Sequence, residues 1–283
     1  MALNYERVMA YRPGNVAVSY GPRDCILYAL GIGLGMDPVD PRELQFVYER
    51  NLRAFPTLPT VLGWVRTPYG AEFGIDERLV VHAEQKLTLH GILPTEGRLT
   101  SSTRVKNVID KGPGKAAIIQ FARELFAEDG TLVATIDSST LARQHGGFGG
   151  KSTSTVEPAP IPDRLPDQVC SLPTPPNLAL LFRLNGDANP LHADPDHAKA
   201  VGFPRPILHG MASFGIAAHA VLRTVAEYRP EKLKSIEARF VRPVFPGEML
   251  ATEMWVDGAQ VSFRCRAAER DEIVLNNGRA ILR

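Results

Sequence analysis

Hydrophobic and polar residues follow two periods along the chain, and the same succession of patterns occurs in both halves. Residues 211–228, "MASFGIAAHAVLRTVAEY", are almost continuously apolar or small, which predicts a buried helix that begins just after Gly210. Runs of imperfect alternation, separated by Gly, Pro or charged turns, follow this segment and predict strands. Four comparable runs occur in the first half. The predicted strands lie within 79–91, 97–110, 115–130, 131–143, 235–245, 247–258, 259–270 and 272–283.

The two halves also align with each other residue by residue. The alignment has an offset of 154 near the start of each half and 153 farther along. Two similarities in the same order, at nearly one offset, indicate an internal duplication. The matched positions are Tyr28 with Phe182, Leu30 with Leu184, Asp40-Pro41 with Asp194-Pro195, and residues 84–94 with residues 237–246.

A Pro-rich, polar stretch at 155–177 separates the halves and has no apolar periodicity, so it predicts an extended linker. The domains are then an N-terminal half, 1–154, and a C-terminal half, 178–283. A buried helix followed by an antiparallel meander, occurring twice, predicts an α+β protein whose sheet wraps around helix. The first-half counterpart of the long helix, "PTLPTVLGWV" at 56–65, is short and bounded by proline. We therefore expect more room beside the sheet of the first half.

Composition narrows the class of function. The chain has 32 Lys plus Arg and 31 Asp plus Glu in 283 residues, a balance that gives no reason to expect nucleic-acid or membrane binding. No apolar run approaches the roughly 18 residues of a membrane span. Cys25, Cys170 and Cys265 are odd in number and scattered, which predicts reduced, buried thiols. Neither a secretory h-region nor a C-terminal peroxisomal signal of the Ser-Lys-Leu type is visible, so we predict a cytoplasmic protein.

The stretch 182–210, "FRLNGDANPLHADPDHAKAVGFPRPILHG", is the densest in chemically active side chains. A metal site is one interpretation, because His192, Asp194, Asp196 and His197 lie within six residues. However, Asp194 followed by proline is typical of a helix N-cap, which places Asp196 and His197 in the first helical turn. We therefore predict no metal site.

Nucleophilic catalysis and phosphate binding are less well supported. The sequence has no Gly-x-Ser-x-Gly motif, and Ser213, near His209, lies on the predicted buried helix. The glycine loop "HGGFGGKS" at 145–152 resembles a P-loop, but His145 stands where the pattern needs glycine. A turn at the end of a domain is the simpler interpretation of this loop. The alternative is that its amides or Lys151 bind an anionic group.

An acid–base pair is the strongest chemical interpretation of 182–210. Asp187 and His192 are separated by a loop that Pro190 stiffens, so Asn189 and both ionisable groups can face one point. A carboxylate and an imidazole that share a water form an acid–base device near neutral pH. Gly210, at the start of the long helix, can offer a backbone N–H to a developing negative charge. On the residues alone, a polar loop with satisfied hydrogen bonds remains the alternative.

The internal duplication gives a further test of this interpretation. The scaffold residues match between the halves, whereas the three chemical residues have no chemical counterpart in the first half. A purely structural polar loop gives no reason for that difference. The unmatched positions are Asp187 against Gly33, Asn189 against Gly35, and His192 against Pro38.

"LNGDANPLH" resembles the hydratase 2 motif of MaoC-like (R)-specific 2-enoyl-CoA hydratases, in which Gly-Asp-x-Asn-Pro-x-His carries the catalysis. The likeness continues through "ILYALGIG", "HAEQ", "GGFGGKS", "RPILHG" and "ARFVRPVFPGE" over nearly the whole chain. It is strongest to the hydratase 2 domain of the peroxisomal multifunctional enzyme. The resemblance implies a double hot-dog fold, two antiparallel sheets each wrapped around a central helix, and a homodimer. The implied activity is reversible hydration of trans-2-enoyl-CoA to (3R)-3-hydroxyacyl-CoA in fatty-acid metabolism.

The resemblance also assigns roles to particular residues. Asp187 and His192 would be the catalytic pair, Asn189 would orient them or the bound water, and the Gly210 N–H would bind the thioester oxygen. No metal or redox cofactor is implied, and CoA enters only as part of the acyl-CoA substrate. The implied substrate contacts are His82, Ala83, Lys111 and Phe240, where Ala83 departs from the usual glycine of "HGEQ".

The first half is then expected to bind the acyl tail. Two alternatives stay open. One is a MaoC-like dehydratase acting on sterol side-chain or acyl-carrier-protein thioesters. The other is a non-catalytic acyl-CoA-binding hot-dog protein.

Overall fold

The computed structural model describes residues 3–65, 67–150, 158 and 160–283. Ten strands in this part of the chain form one antiparallel sheet, and six α-helices accompany it. The strands are β1 (Asn15–Tyr20), β2 (Val80–Leu89), β3 (Gly97–Asp110), β4 (Ala117–Ala127), β5 (Leu132–Ala142), β6 (Gln168–Pro173), β7 (Leu233–Phe240), β8 (Met249–Asp257), β9 (Gln260–Ala267) and β10 (Glu272–Leu282). The helices are α1 (Tyr5–Met9), α2 (Pro22–Gly31), α3 (Pro41–Val47), α4 (Leu178–Phe182), α5 (Pro195–Ala200) and α6 (Gly210–Thr224).

The strand order repeats itself about the middle of the sheet. It runs β1-β3-β4-β5-β2-β7-β10-β9-β8-β6. Read from either edge, each half therefore places its first strand outermost, then its third, fourth and fifth, and its second strand at the centre. The duplication inferred from the sequence is present in the topology. The two predicted sheets, however, are continuous through the pairing of β2 with β7.

The central pairing brings equivalent residues of the two halves together. Glu84 on β2 and Glu237 on β7 are aligned positions of the repeat, and each lies opposite a basic residue of the other strand. Arg239 Nε lies 2.8 Å from Glu84 Oε1, and Lys86 Nζ lies 3.3 Å from Glu237 Oε2. The two ion pairs are thus related by the internal pseudo-symmetry of the molecule.

The long helix is the main difference between the halves. In α6, every residue from Ala212 to Leu222 is buried, and the helix packs on the C-terminal half of the sheet. Among the described residues of the N-terminal half, the short helix predicted at 56–65 is reduced to the 3-10 turn Leu58–Thr60. The buried Arg123 lies beside this turn, and its guanidinium donates a hydrogen bond to the carbonyl oxygen of Thr60.

The helix α6 ends at Thr224, four residues earlier than predicted. Glu227 and Tyr228 have positive φ angles of 54° and 55°, so the chain turns sharply here. This turn carries the Tyr228 hydroxyl to Glu43 on α3, to whose Oε1 it donates at 2.8 Å. The helix thus ends where the chain turns to make a contact between the halves.

The predicted linker is wrong at its C-terminal end. Residues 151–157 and 159 lie outside the described residues, but Gln168–Pro173 forms strand β6 and pairs with β8. Cys170 and Leu172 point into the core while their neighbours are exposed, which is the alternation of an edge strand. Pro173 is tolerated because it is the last residue of an edge strand. The sequence analysis also missed the equivalent edge strand, β1.

The other predicted elements are present. All eight predicted strands occur, β3 with the predicted bounds. Asp194 caps a helix as predicted and accepts from the N–H groups of Asp196 and His197, and Asp40, its counterpart in the repeat, also caps a helix and accepts from the N–H of Arg42. Among the described residues, no helix is long and apolar enough to cross a membrane.

Candidate functional site

The loop between α4 and α5 carries the predicted acid–base residues and is shaped by local hydrogen bonds. Asn189 caps the 3-10 turn Pro190–His192, because its side-chain oxygen accepts from the N–H of Leu191 at 3.0 Å. The Asn189 backbone N–H donates to Asp187 Oδ1 at 3.2 Å. The main chain of Asn189 thus contacts the Asp187 carboxylate, while its side-chain oxygen shapes the loop, and the orienting role of Asn189 stays a prediction.

His192 is held with one ring nitrogen free. The side chain is buried, and Nδ1 lies 2.8 Å from the carbonyl oxygen of Ile207. A carbonyl can only accept, so Nδ1 carries the proton and Nε2 keeps its lone pair. Burial lowers the pKa of His192 below its ordinary value, so the ring is neutral at pH 7. A neutral imidazole with a free lone pair can accept a proton from water.

The structure brings Asp187 and His192 together and adds a third residue, His209. A carboxylate oxygen of Asp187 and one nitrogen from each imidazole all lie within 4.8 Å of one another. Asp187 is partly exposed, whereas both histidines are buried. His209 was not among the predicted site residues, although its position directly before Gly210 in "ILHG" is a signal that could have identified it.

Such a triad of ligands also raises the question of a metal ion. The rings of His192 and His209 are stacked, with centroids 3.7 Å apart and planes inclined by 26°. An ion bound by both rings would have to lie near both ring planes. Because the two ring planes are inclined by only 26°, they intersect farther from the rings than a metal–nitrogen bond of about 2 Å can reach. The observed side-chain geometry therefore suits a water between Asp187 and His192 better than an ion shared by both imidazoles.

Gly210 lies where the side chain of any other residue would press against Phe240. It is the first residue of α6, so its N–H has no carbonyl partner within the helix and lies at the positive end of the helix dipole. A Cβ at Gly210 would stand 3.1 Å from Cε1 of Phe240. Phe240, one of the predicted substrate contacts, therefore packs directly against the predicted oxyanion donor.

His82 joins the same cluster from the other half of the molecule. Its ring centroid lies 4.6 Å from that of Phe240, and its Nε2 lies 3.0 Å from the Glu84 carbonyl oxygen. Burial lowers the pKa of His82 to about 4, while the nearby Asp187 carboxylate acts in the opposite direction. The site is thus built across the junction of β2 with β7, from both halves of the chain.

The remaining predicted contacts lie farther out. Ala83 is the extra residue of a β-bulge in β2, because the pairing with β5 shifts between His82 and Glu84. Lys111 follows β3 and is at the same end of the sheet as His82, but three strands away. At the usual strand spacing this separation is about 14 Å. Lys111 is therefore outside the cluster around Asp187.

The glycine loop at 145–150 binds the carboxylate of a residue in the same chain, Asp110. Its amides bind Asp110: Oδ1 accepts from Gly147 at 2.6 Å, and Oδ2 accepts from Gly149 at 2.8 Å and Gly150 at 3.3 Å. These hydrogen bonds lower the pKa of Asp110. The described part of the loop is therefore a structural turn, while Lys151 lies outside the described residues.

The residues considered as nucleophiles, Ser213 and the three cysteines, lie in surroundings typical of structural residues. Ser213 Oγ faces the carbonyl oxygen of His209 at 3.5 Å within α6. Cys25, Cys170 and Cys265 are free and buried, as predicted. Burial raises the pKa of Cys265 to about 12, so its reactive thiolate form is scarce at neutral pH.

Two family models match the chain, one for each half. The model of the MFE-2 hydratase 2 N-terminal domain matches residues 18–144, and that of the MaoC like domain matches residues 157–277. Among curated proteins, the peroxisomal enoyl-CoA hydratase 2 of Arabidopsis thaliana is 36% identical over 290 residues, which cover 96% of this chain and 93% of that protein. Enoyl-CoA hydratase ChsH3 of Mycobacterium tuberculosis is 37% identical over 268 residues, 93% of each chain. The peroxisomal multifunctional enzyme type 2 of Mus musculus is 36% identical over 272 residues, which cover 92% of this chain and 36% of that protein.

Solved structures confirm the predicted architecture. A MaoC-like dehydratase from Phytophthora capsici has a TM-score of 0.88 and 31% identity, and 99% of each chain is covered. Rv0216 of Mycobacterium tuberculosis, described as having a double hotdog fold, has a TM-score of 0.57 at 15% identity, with coverage of 99% of this chain and 98% of that one. The α+β double hot-dog prediction is therefore confirmed, although in the described part of the chain the long central helix occurs in the C-terminal half alone.

Proposed function

The chain belongs to the MaoC-like hydratase 2 family, and we propose that it catalyses the reversible hydration of trans-2-enoyl-CoA to (3R)-3-hydroxyacyl-CoA. The family resemblance predicted from "GDANPLH" is thereby confirmed. The observation that carries the proposed chemistry is the convergence of Asp187 and His192, within 4.8 Å, at a loop shaped for them. In this role the protein is a hydro-lyase of fatty-acid metabolism.

Water activation is assigned to Asp187 and His192. The Asp187 carboxylate and the free Nε2 of His192 can each accept a hydrogen bond from one water. This water adds its oxygen to C3 of the enoyl group, the pair takes up the released proton, and a proton is delivered to C2. Because one proton enters the pair and one leaves it, the pair is regenerated after each turnover.

Charge stabilisation is assigned to the Gly210 N–H. Polarisation of the thioester carbonyl makes C3 electrophilic and stabilises the enolate-like transition state. A donor at the N-terminus of a buried helix suits this role, since the helix dipole adds to its hydrogen bond. The chemistry involves no change in redox state, and we propose that it requires no metal or cofactor.

The substrate is proposed to run along the junction of the two halves. Phe240 and His82 line the approach to Gly210, and the bulge at Ala83 presents main-chain groups beside them. In the N-terminal half the 3-10 turn Leu58–Thr60 replaces a long helix, which suits binding of the acyl tail there. Lys111, at the same end of the sheet as His82 but three strands away, suits a contact with the CoA end of the substrate.

The decisive experiment is an assay of the purified protein with trans-2-enoyl-CoA thioesters. Loss of the conjugated thioester is followed by absorbance, and the product is analysed on a chiral phase. We expect (3R)-3-hydroxyacyl-CoA, with full activity after treatment with EDTA. A length series from crotonyl-CoA to decenoyl-CoA, together with a steroid enoyl-CoA and an acyl-carrier-protein thioester, identifies the preferred acyl group. Acyl-CoA binding without turnover would instead support the non-catalytic alternative.

Assembly and location are further proposals. We propose a homodimer, which light scattering of the purified protein tests. The cytoplasmic location stays a prediction, and two of the relatives named above carry the word peroxisomal in their names. Localisation of the tagged protein in its own cell is the corresponding test.

A further inference from the structure

His209 occupies the centre of the site without a role in the chemistry described above. It immediately precedes α6 and is 1% exposed. Its Nε2 lies 3.2 Å from the backbone carbonyl oxygen of Asp187. Since a carbonyl only accepts, Nε2 carries the proton, and this hydrogen bond holds the main chain of Asp187.

The ring of His209 also sets the plane of His192. The two imidazoles stack at 3.7 Å, and on the edge of His192 the bond from Nδ1 to Ile207 fixes its rotation. The ring centroid of Phe182 lies 5.1 Å from that of His209, and this packing keeps the His209 ring in place. His192 is therefore held at one edge and over one face.

One residue thus connects the three parts of the proposed mechanism. His209 bonds to the main chain of Asp187, stacks on His192, and is covalently followed by Gly210. The N-terminal half, which lacks the acid–base pair, has Phe55 and Pro56 at the positions 154 and 153 residues earlier. The histidine is absent where the chemistry it would support is absent.

The charge state of His209 suits this arrangement. Burial lowers its pKa, and the positive charge that His192 can carry acts in the same direction. His209 therefore stays neutral while His192 exchanges protons. Its Nδ1 has no hydrogen-bond partner among the described residues. The ring is therefore held by the hydrogen bond from Nε2 to the Asp187 carbonyl oxygen.

We propose that His209 is a positioning residue that fixes the distance between Asp187 and His192 and aligns both with the Gly210 N–H. It acts through these groups and does not contact the reacting water. The inference rests on the proposed hydratase function. Misplacement of catalytic groups by about 1 Å can reduce a rate about 10²-fold, which sets the size of the expected effect.

Two substitutions separate the two contacts. His209→Phe keeps a flat ring on His192 but removes the donor to Asp187, whereas His209→Gln keeps a donor and removes the stacked ring. We expect each to lower kcat about 10- to 100-fold and to change KM less than about threefold. The matched control is His219→Phe, which removes a buried histidine within α6 that bonds to Tyr228 and lies ten residues farther along the chain. Its kcat per folded molecule is expected to equal that of the wild type.

The effect of a His209 substitution on kcat in a variant that already lacks Asp187 distinguishes a positioning role from general support of the fold. In an Asp187→Asn background, His209→Phe should cause little additional loss, because its partner in the chemistry is already gone. An equal fold-loss in both backgrounds would overturn the inference, as would wild-type kcat in both His209 variants. If the wild type hydrates no enoyl thioester, the proposed function fails and this inference fails with it. Retained activity in the variants overturns the inference alone.

Discussion

The two halves of this protein share one strand topology but differ in what lies beneath the sheet and beside it. In the C-terminal half, the 15-residue helix α6 packs against the sheet and begins directly after His209, which contacts the main chain of Asp187. In the N-terminal half, the 3-10 turn Leu58–Thr60 takes the place of that helix, and the buried Arg123 binds it. The duplicated sheet is thus a common support, and specialisation resides in the segments that connect its strands.

The loops that precede the short helices show how the specialisation arose locally. Tyr28 and Phe182, which match in the repeat, pack with their ring centroids 6.1 Å apart. Asp40 and Asp194 cap equivalent helices. Between these anchors the N-terminal loop contains Gly33, at φ 80°, where the other half has Asp187. The anchors keep both loops in equivalent places, while the backbone between them took different paths.

The largest difference between the halves is expected to be chemical and to reside in Asp187 and His192. Asp187→Asn and His192→Gln should each lower kcat about 10³-fold, because acid–base catalysis by a positioned group contributes roughly 10²- to 10⁴-fold. Steady-state hydration of an enoyl-CoA measures this loss. Asp194→Asn and His197→Gln, in the next helix, are matched controls, since asparagine caps a helix as well as aspartate does. Near-wild-type turnover in either of the first two variants would contradict the assignment.

The next effect concerns the start of α6. Gly210→Ala should lower kcat/KM about 10-fold, because the new methyl group stands 3.1 Å from Phe240 and the ring or the N–H donor must shift by a few tenths of an ångström. Phe240→Leu in the same chain should recover part of the rate. Gly215→Ala is the control within α6: its Cβ would meet Ile32 at 2.4 Å, so it should lower stability but not kcat per folded molecule. Equal loss of kcat in both glycine variants would argue against an oxyanion role.

The next effect is on stability: acid pH is expected to lower the free energy of unfolding through His219, which packs at the contact between the halves. His219 on α6 is fully buried, and burial lowers its pKa to about 4. Below pH 6.5 the unfolded chain binds a proton at this residue that the folded chain does not, so the free energy of unfolding falls as pH falls. Between pH 6.5 and 5 this histidine should account for about 2 kcal/mol. Thermal unfolding across this range measures the change, and a slope unaltered in His219→Phe would rule out this contribution.

The smallest effect is expected at the pseudo-symmetric ion pairs between β2 and β7. Lys86→Met removes the pair with Glu237, in which the Lys86 side chain is 42% exposed. Partly exposed pairs contribute about 0.5 kcal/mol, and the main-chain bonds of the two strands stay intact. Urea unfolding at low and high salt measures this difference, which salt should reduce further. A loss above about 2 kcal/mol would show that charge, rather than strand pairing, joins the halves.

Much of the fold could be predicted because its signals are local. The buried helix, the eight long strands and the two aspartate caps each follow from residue type and spacing. The edge strands β1 and β6 could not, since six residues with two or three inward side chains do not stand out from a loop. In the site, "GDANPLH" identified Asp187, Asn189 and His192, whereas His209 was missed because its partners are 17 and 22 residues away along the chain.

By itself, the sequence determined the duplication, the α+β class and the residues able to do acid–base chemistry, because periodicity, repeats and motif spacing are properties of the chain. Only the tertiary structure decided that β2 and β7 join the halves and place His82 and Phe240 beside Gly210. It also decided that His192 keeps Nε2 free and stacks on His209, and that α6 ends where Tyr228 reaches Glu43. These features depend on packing between segments far apart in the chain, which no local pattern records.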